Sequence, residues 1–487
     1  TLLMLGLGQA AIAAEHAIIA PESKGTFRGR PTVAAVRVTK IPDIDGHLID
    51  EAWSYAKPAG EFLQKEPKQN IPHSQRTEFR VLYNNDTLFV GVWCFDTEAR
   101  NIIAHTMERD VTMRYEDMVN ITLDTFQDRR NGYIFTVNPN GARSDATVSN
   151  NTSRNREWDG AWRAKSKKHA WGWSIEVAIP FKSLSFDEKN DSWGINIYRN
   201  IGRFGERGQW ANSRPSSRSY HVSGCGDLTG LHGLRQGIGL DITPYATGKY
   251  RKDYDSRDSD LLGDFGFDVR YRLTPSLTAL ASINTDFAET EIDTRQVNFT
   301  RFPLFFREKR QFFLEDSGIF GFGGGESSRR RSRDSSDTLL MPFFSRRIGL
   351  SSKGQITPIQ FAGKVTGRIK DYNIGLLNAV VEGNDHPRNA FVGRVSRNVF
   401  EQSSFGFLTT VGDPNSDEMN SVTGIDFQYR NTDFMGGHTF EANLYALGSY
   451  SEDLGGLEPT WVTNAKLYDR NIELSASVME IGNDFNP

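Results

Sequence analysis

The tryptophans are the residues whose chemistry and placement say most. Eight of the nine, Trp53, Trp93, Trp158, Trp162, Trp171, Trp173, Trp193 and Trp210, lie in the first half of the chain. An exposed indole offers an apolar face to a pyranose ring, while nearby polar groups hold the hydroxyls. Trp93 and Trp173 fall within strand-like runs and read as core. Core packing between sheets is the favoured reading for any one tryptophan; Trp158 and Trp162, which adjoin the polar loop from Asn150 to Asp159, are the better candidates for exposure. Other chemistry is thin. The nine histidines are scattered without metal-ligand spacing. No nucleophile elbow or phosphate loop occurs, and the GFGGG run at Gly321 to Gly325 lacks the following Lys-Ser/Thr. Glu157 and Asp159 form a carboxylate pair of a kind that 61 acidic residues make common. No catalytic or metal-binding residue is assigned. Calcium at the acidic loops is the one cofactor left open, and no loop of known calcium spacing speaks for it.

The elements that must position these residues are bounded by composition. A chain of 487 residues suggests two to four domains. Lysine and arginine total 57 against 61 acidic residues, for a net charge of −4, which gives no field to hold a nucleic-acid backbone. With 32 Phe, 15 Tyr and 45 Gly at 38% hydrophobic content, the chain is expected to be all-β. Cys94 and Cys225 are compatible with one bridge or with two free thiols. Residues 1–14, TLLMLGLGQAAIAA, read as a signal-peptide core ending in a small-x-small site. The missing Met and basic start suggest a sequence shortened at this end. No later run reaches the roughly 18 apolar residues of a spanning helix. The expectation is an exported protein that, if membrane-bound, crosses without helices.

After a linker at 15–32, residues 33–235 carry short strands, Thr77 to Tyr83, Leu88 to Phe95, Val119 to Asp124, Tyr133 to Val137, Trp173 to Ile179 and Trp193 to Arg199, separated by turn signals. This pattern predicts a β-sandwich. From 237 to 487 the strands lengthen and alternate apolar with small or polar residues. Phe361 to Ile369 turns at Lys370-Asp371 and returns from Asn373 to Val381; Phe391 to Val399 turns at Glu401-Gln402 and returns from Phe405 to Val411. Tight turns alternate with longer loops, the pattern of an antiparallel transmembrane β-barrel. A soluble sheet with one wet face is the competing reading, and no fixed repeat supports a propeller. The last residues form a loop, so the barrel is expected to be incomplete at the C-terminus. Residues 284–345, dense in Phe, Arg and acidic side chains, are expected to be a plug-like or loop insertion, with 327–336 a solvated loop.

Several segments are familiar as a set. IDGHLIDEAW (Ile44 to Trp53), VLYNNDTLFVGVWCFD (Val81 to Asp96), EDMVNITLD (Glu116 to Asp124), WSIEVAI, WGINI and GDLTGL resemble the family 9 carbohydrate-binding module. NTDFAETEID, QVNFTRFPLFF, EKRQFFLE and SGIFGF, within Asn284 to Gly325, resemble a bacterial outer-membrane domain of the domain of unknown function 5916 type, commonly fused behind such modules. The first resemblance implies a sandwich that clamps a terminal sugar between two tryptophans. At the matching positions this chain has Tyr115, Asn120 in place of a glutamate, and Tyr220, which stand as the candidate ligand-binding residues beside Trp158 and Trp162.

Together these readings predict a Gram-negative outer-membrane protein with a periplasmic sandwich. Its partners would be a saccharide or glycan and outer-membrane lipid, in a transport or presentation role. The alternative is an envelope assembly protein whose sandwich binds a protein partner. Glycoside hydrolysis follows only by association with the module.

Overall fold

The computed structural model describes residues 30–486 apart from 152, 157, 212–219, 238, 253–258, 286–307, 309, 324–339, 351–356, 384–385, 415, 417, 436, 453–455 and 470–471. The expected signal segment, most of the linker, the 327–336 run and much of the 284–345 insertion lie outside the described residues. The regular structure of the described residues is almost entirely strand, with only short helical turns.

The first fourteen strands are β1 (Thr32–Ala34), β2 (Val36–Arg37), β3 (Leu63–Glu66), β4 (Thr77–Tyr83), β5 (Thr87–Phe95), β6 (Met118–Asp124), β7 (Gly132–Val137), β8 (Arg143–Ser149), β9 (Ser153–Asn155), β10 (Arg163–His169), β11 (Gly172–Pro180), β12 (Ser192–Ile201), β13 (Glu206–Gln209) and β14 (Gly226–Thr229). One sheet runs β1-β14-β12-β6-β7-β8-β9, with β13 and β3 attached at β12; the other runs β10-β11-β5-β4-β2. Their facing sides share a core that includes Val81, Val90, Ile121, Leu123, Phe135, Trp173, Ile175 and Trp193. Each such side chain contributes about 1.5–3 kcal/mol through removal from water.

The alternation expected of a half-wet sheet fails in β5 and β11, which are buried on both faces. The reason is the IDGHLIDEAW segment, whose Leu48, Ala52 and Trp53 pack over Phe89, Trp93 and Ala178 on the outer side of the second sheet. Glu176 of β11 anchors that segment. Its carboxylate accepts the backbone N–H groups of Asp45 and Gly46, at 2.8 and 2.7 Å, and the indole N–H of Trp53 at 2.9 Å.

The remaining strands form one antiparallel meander: β15 (Leu240–Lys252), β16 (Ser259–Thr274), β17 (Leu277–Ile283), β18 (Ile359–Ile369), β19 (Tyr372–Val381), β20 (Arg388–Val399), β21 (Ser403–Val411), β22 (Asn420–Phe434), β23 (His438–Ser451), β24 (Gly456–Tyr468) and β25 (Glu473–Ile481). Each pairs with its sequence neighbours in an 11-stranded sheet. Among the described residues no pairing joins β15 to β25, so the closure expected of a barrel is not seen. The predicted turns at Lys370-Asp371 and Glu401-Gln402 join β18–β19 and β20–β21, and a turn at Pro275-Ser276 joins β16–β17 at the same end; the longer connections lie at the other.

The faces of this sheet reverse the polarity of a soluble one. Phe265, Tyr372, Leu376, Phe405, Phe407, Ile425, Leu444 and Trp461 are exposed on one face, whereas Lys364, Thr366, Arg394, Ser404, Asp426 and Arg430 are buried on the other. The described part of the insertion covers that polar face. Phe312, Phe313 and Phe320 pack with Leu280, Leu377, Ala379 and Val392. Lys364 donates from Nζ to the carbonyls of Phe312 and Glu315 at 2.5 and 2.6 Å, and Thr366 donates to Asp316 at 2.8 Å.

Candidate functional site

Two of the candidate aromatics prove to be core. Trp158 and Trp162, the better candidates for exposure among the tryptophans, are only 9% and 5% accessible and belong to the sandwich core, the placement favoured for any one tryptophan. Trp158 lies against Tyr133 and Phe135, with ring centroids 5.1 and 6.1 Å away, and Trp162 meets Phe135 edge-on at 5.0 Å. The two indoles close over the Tyr133 and Phe135 rings of β7. Neither can offer a face to a sugar.

Asn120 is also buried, at 4% accessibility. Its side chain lies on the polar face of β6, opposite Val119 and Ile121, and its Oδ1 accepts the Thr136 hydroxyl at 2.7 Å. Tyr115 is the exposed member, 75% accessible, with the Arg114 guanidinium 5.6 Å from its ring centroid. Exposed Phe204 belongs to the turn whose Gly202 packs on the Tyr115 carbonyl, so an apolar edge forms where β6 begins. Tyr220 packs at the other end of β6, with Ile134, Val148, Val222 and Cys225, where Val222 and the Leu123 carbonyl both lie close to Gly132. A seven-residue strand spans about 20 Å, so Tyr115 and Tyr220 are not brought to one clamp. The described residues contain no group of three or more His, Cys, Asp or Glu able to hold a metal ion.

Both cysteines are free and buried. Burial pushes the Cys94 thiol up to about 12 and raises that of Cys225 as well, leaving neither as an available thiolate.

Sequence reasoning missed the site that joins the two halves. The loop between β6 and β7 is built on carboxylates: Asp124 accepts the N–H groups of Asp128 and Arg129, and Asp128 accepts those of Arg130 and Asn131. So held, the loop delivers Arg130 to the sheet. Its guanidinium donates to Asn398 Oδ1, the Ser403 carbonyl and Ser404 Oγ at 2.9, 2.8 and 2.9 Å, and to Asn150 Oδ1 at 2.6 Å. Burial lowers the Arg130 pKa to about 10, which still leaves the group charged at neutral pH.

Arg368 of β18 pairs with Asp128 at 2.9 Å, and Arg272 of β16 donates to the Leu184 carbonyl at 2.8 Å. The Pro275 carbonyl accepts from Phe186 N and Gln236 Nε2. All these contacts fall at the tight-turn end of the meander. The only sequence signal for them is the inward phase of charged residues on otherwise alternating strands.

Comparison with known proteins gives two family matches. Residues 44–220 match the model described as carbohydrate family 9 binding domain-like, and residues 237–402 match the domain of unknown function DUF5916. Both resemblances drawn from the motifs therefore hold. Among solved structures, the chain is similar to a carbohydrate-binding module family 9 from Caldicellulosiruptor kristjanssonii in complex with glucose, at 17% identity and TM-score 0.32, over 43% of this chain and 99% of that one. It is also similar to that organism's module in complex with cellotriose, at 16% identity and TM-score 0.32, over 42% and 95% of the two chains. The search of curated proteins finds no match.

Proposed function

We propose that the protein is an outer-membrane β-barrel protein of a Gram-negative envelope whose sandwich binds a saccharide or glycan and passes it to, or presents it at, the barrel. The observation that carries the membrane reading is the reversed polarity of the meander, with aromatic and aliphatic side chains outside and charges inside. Such a face is costly in water and suited to lipid. No described helix is long and apolar enough to cross a membrane. Short turns lie on the periplasmic side of bacterial barrels, so docking at the tight-turn end supports a periplasmic sandwich. The insertion packed on the inner face fits a plug. The family 9 match supports saccharide as the ligand class.

The test is envelope fractionation of the full-length protein followed by glycan-array binding in detergent. Recovery in the outer-membrane fraction with saccharide binding is expected. Recovery in the soluble periplasm would refute the barrel, and silence at millimolar glycan would refute the ligand class.

A second reading, an assembly role with a protein partner, is favoured by the exposed Met107, Tyr115 and Phe204 near the far edge of the sandwich. Cross-linking from Tyr115 to one defined envelope protein, in the absence of glycan binding, would establish it instead.

A further inference from the structure

The second sheet of the sandwich ends on an open strand. β10 pairs with β11, and no strand among the described residues pairs with its other side. His169 and Gly172 close a two-residue hairpin over Ala170-Trp171, and the closing pair of such a hairpin is hydrogen-bonded. Alternation from that pair turns the N–H and C=O groups of Ala164, Ser166 and Lys168 away from β11, toward the open edge. At seven residues β10 is long for an edge; the edge strands β1, β2, β3 and β9 have two to four.

The charge on this edge is one-sided. Arg163, Lys165 and Lys167 are exposed and stand on the outer face, opposite Ala178, Glu176 and Ser174 of β11. Successive members are about 7 Å apart along the strand. Glu176, the cross-strand neighbour of Lys165, is buried and already occupied by Asp45 N, Gly46 N and Trp53 Nε1. No ion pair among the described residues involves any of the three cations.

A second copy of β10 is disfavoured as the occupant, since pairing would set like charges side by side. The same row fits a strand with carboxylates at alternate positions. We propose that β10 is the docking strand for an extended acidic peptide of an envelope protein. This deepens the protein-partner reading above, on which it rests, and gives that partner a chemistry and a place apart from Tyr115. Backbone pairing with Ala164, Ser166 and Lys168 extends the sheet by one strand, the mode in which the main chain supplies affinity and alternate side chains supply choice. Glutamates of the added strand then lie beside Arg163, Lys165 and Lys167. Its intervening residues fall beside Ala164, which is buried in the sandwich core, so valine suits them. A linear anionic glycan would meet the cations but lacks the regular N–H and C=O row that the open edge pairs with.

The experiment is fluorescence polarisation of a labelled Thr-Glu-Val-Glu-Val-Glu-Thr peptide with the full-length protein in detergent. Three competitors each change one property: glutamine in place of glutamate, N-methylated valines, and polygalacturonate. The protein variants are Lys165→Gln with Lys167→Gln, Ser166→Pro, and Tyr115→Ala. Proline at an outward-facing edge position removes a donor that β11 does not use. Circular dichroism and thermal unfolding establish that each variant is folded, and the lysine variant, confined to exposed side chains, keeps the test readable if proline disturbs the strand. The expected result is submillimolar binding of the acidic peptide. The glutamine and N-methylated peptides and polygalacturonate should each compete at least tenfold less well than the unlabelled parent. The double lysine variant and Ser166→Pro should each weaken binding at least tenfold, with Tyr115→Ala within twofold of the parent. Equal competition by the N-methylated peptide or by polygalacturonate would overturn strand addition in favour of a patch for any polyanion. Loss in Tyr115→Ala with full binding in the β10 variants would overturn this site while sparing a protein partner. Silence of the acidic peptide up to millimolar concentration would overturn the docking strand, whereas the protein-partner reading itself falls only if cross-linking from Tyr115 fails as well.

Discussion

Arg394 reaches Asp426 across an intervening strand. From β20 its guanidinium passes over Gly406 of β21, where an added Cβ would stand only 2.5 Å from it, and donates to both oxygens of Asp426 on β22 at 2.6 and 3.0 Å. The same carboxylate accepts the backbone N–H of Gly323 from the insertion. One buried pair thus joins three strands and the segment covering them.

Arg394→Ala leaves Asp426 buried without its counter-charge and is expected to cost about 3–5 kcal/mol. The double change Arg394→Met with Asp426→Leu should recover most of that. Gly406→Val should resemble the single Arg394 variant by displacing its side chain. Thermal unfolding in detergent, followed by gel mobility, reads all three.

Arg130 is the polar latch between sandwich and sheet. Arg130→Ala removes four hydrogen bonds from a buried charge, and a loss of about 3 kcal/mol in docking is expected. Arg130→Lys should restore only part of this, since a point charge lacks the planar fork. Limited proteolysis between Thr229 and Leu240, faster in both variants and fastest in the alanine one, is the measurement.

On the outward face, Phe407→Arg is expected to impair membrane assembly at a cost of about 2–4 kcal/mol if its position is near mid-bilayer. Asn443→Arg, on the inward face where Asn443 donates to Asn464, should assemble normally. Recovery of each variant in the outer-membrane fraction decides the matter; equal recovery would argue against lipid on the Phe407 side.

Trp158→Ala and Tyr115→Ala should separate packing from surface roles. The first opens a hole in the sandwich core and is expected to cost about 3–5 kcal/mol. The second removes an exposed ring and should change stability by less than about 0.5 kcal/mol. Chemical denaturation of the two proteins checks both.

His169 stacks on Trp171 at 4.5 Å and its Nε2 lies 2.7 Å from Ser174 Oγ. Desolvation, with His47 and Lys167 nearby, lowers its pKa to about 4. The unfolded chain takes up the proton near pH 6.5 and the folded one only near 4, so this contribution to stability is whole above 6.5 and declines as pH falls toward 4. His169→Phe should make the dependence of the denaturation midpoint on pH shallower across that window.

The meander was legible because its information is local. A period of two and polar turns such as Lys370-Asp371 fix strand lengths and order without reference to distant residues. The sandwich strands were legible for the same reason. Trp158 and Trp162 were not, because a polar loop beside an indole says nothing about which side chain covers it; the cover is Phe135, more than twenty positions earlier. The junction was further out of reach. Arg130 and its acceptor Asn398 stand 268 positions apart, and nothing in the loop around Arg130 distinguishes a guanidinium bound for another domain from one bound for water.

Pro275 lies in the first tight turn of the sheet, and its carbonyl is held by groups on the sandwich and on the link that follows it. This contact has a consequence for the order of assembly. The sandwich precedes the sheet in the chain and closes its own core, so it can offer a finished surface before the strands of the sheet have paired. Seating the β16–β17 turn there involves only a short connecting segment, for which loop closure is inexpensive. The pairing of β17 with β18 spans residues 284–358; from β18 onward each strand adds beside one already in place, through contacts close in sequence, the regime in which strand pairing is fastest. A domain that reads as a ligand module is, by position, also the template on which the sheet can begin.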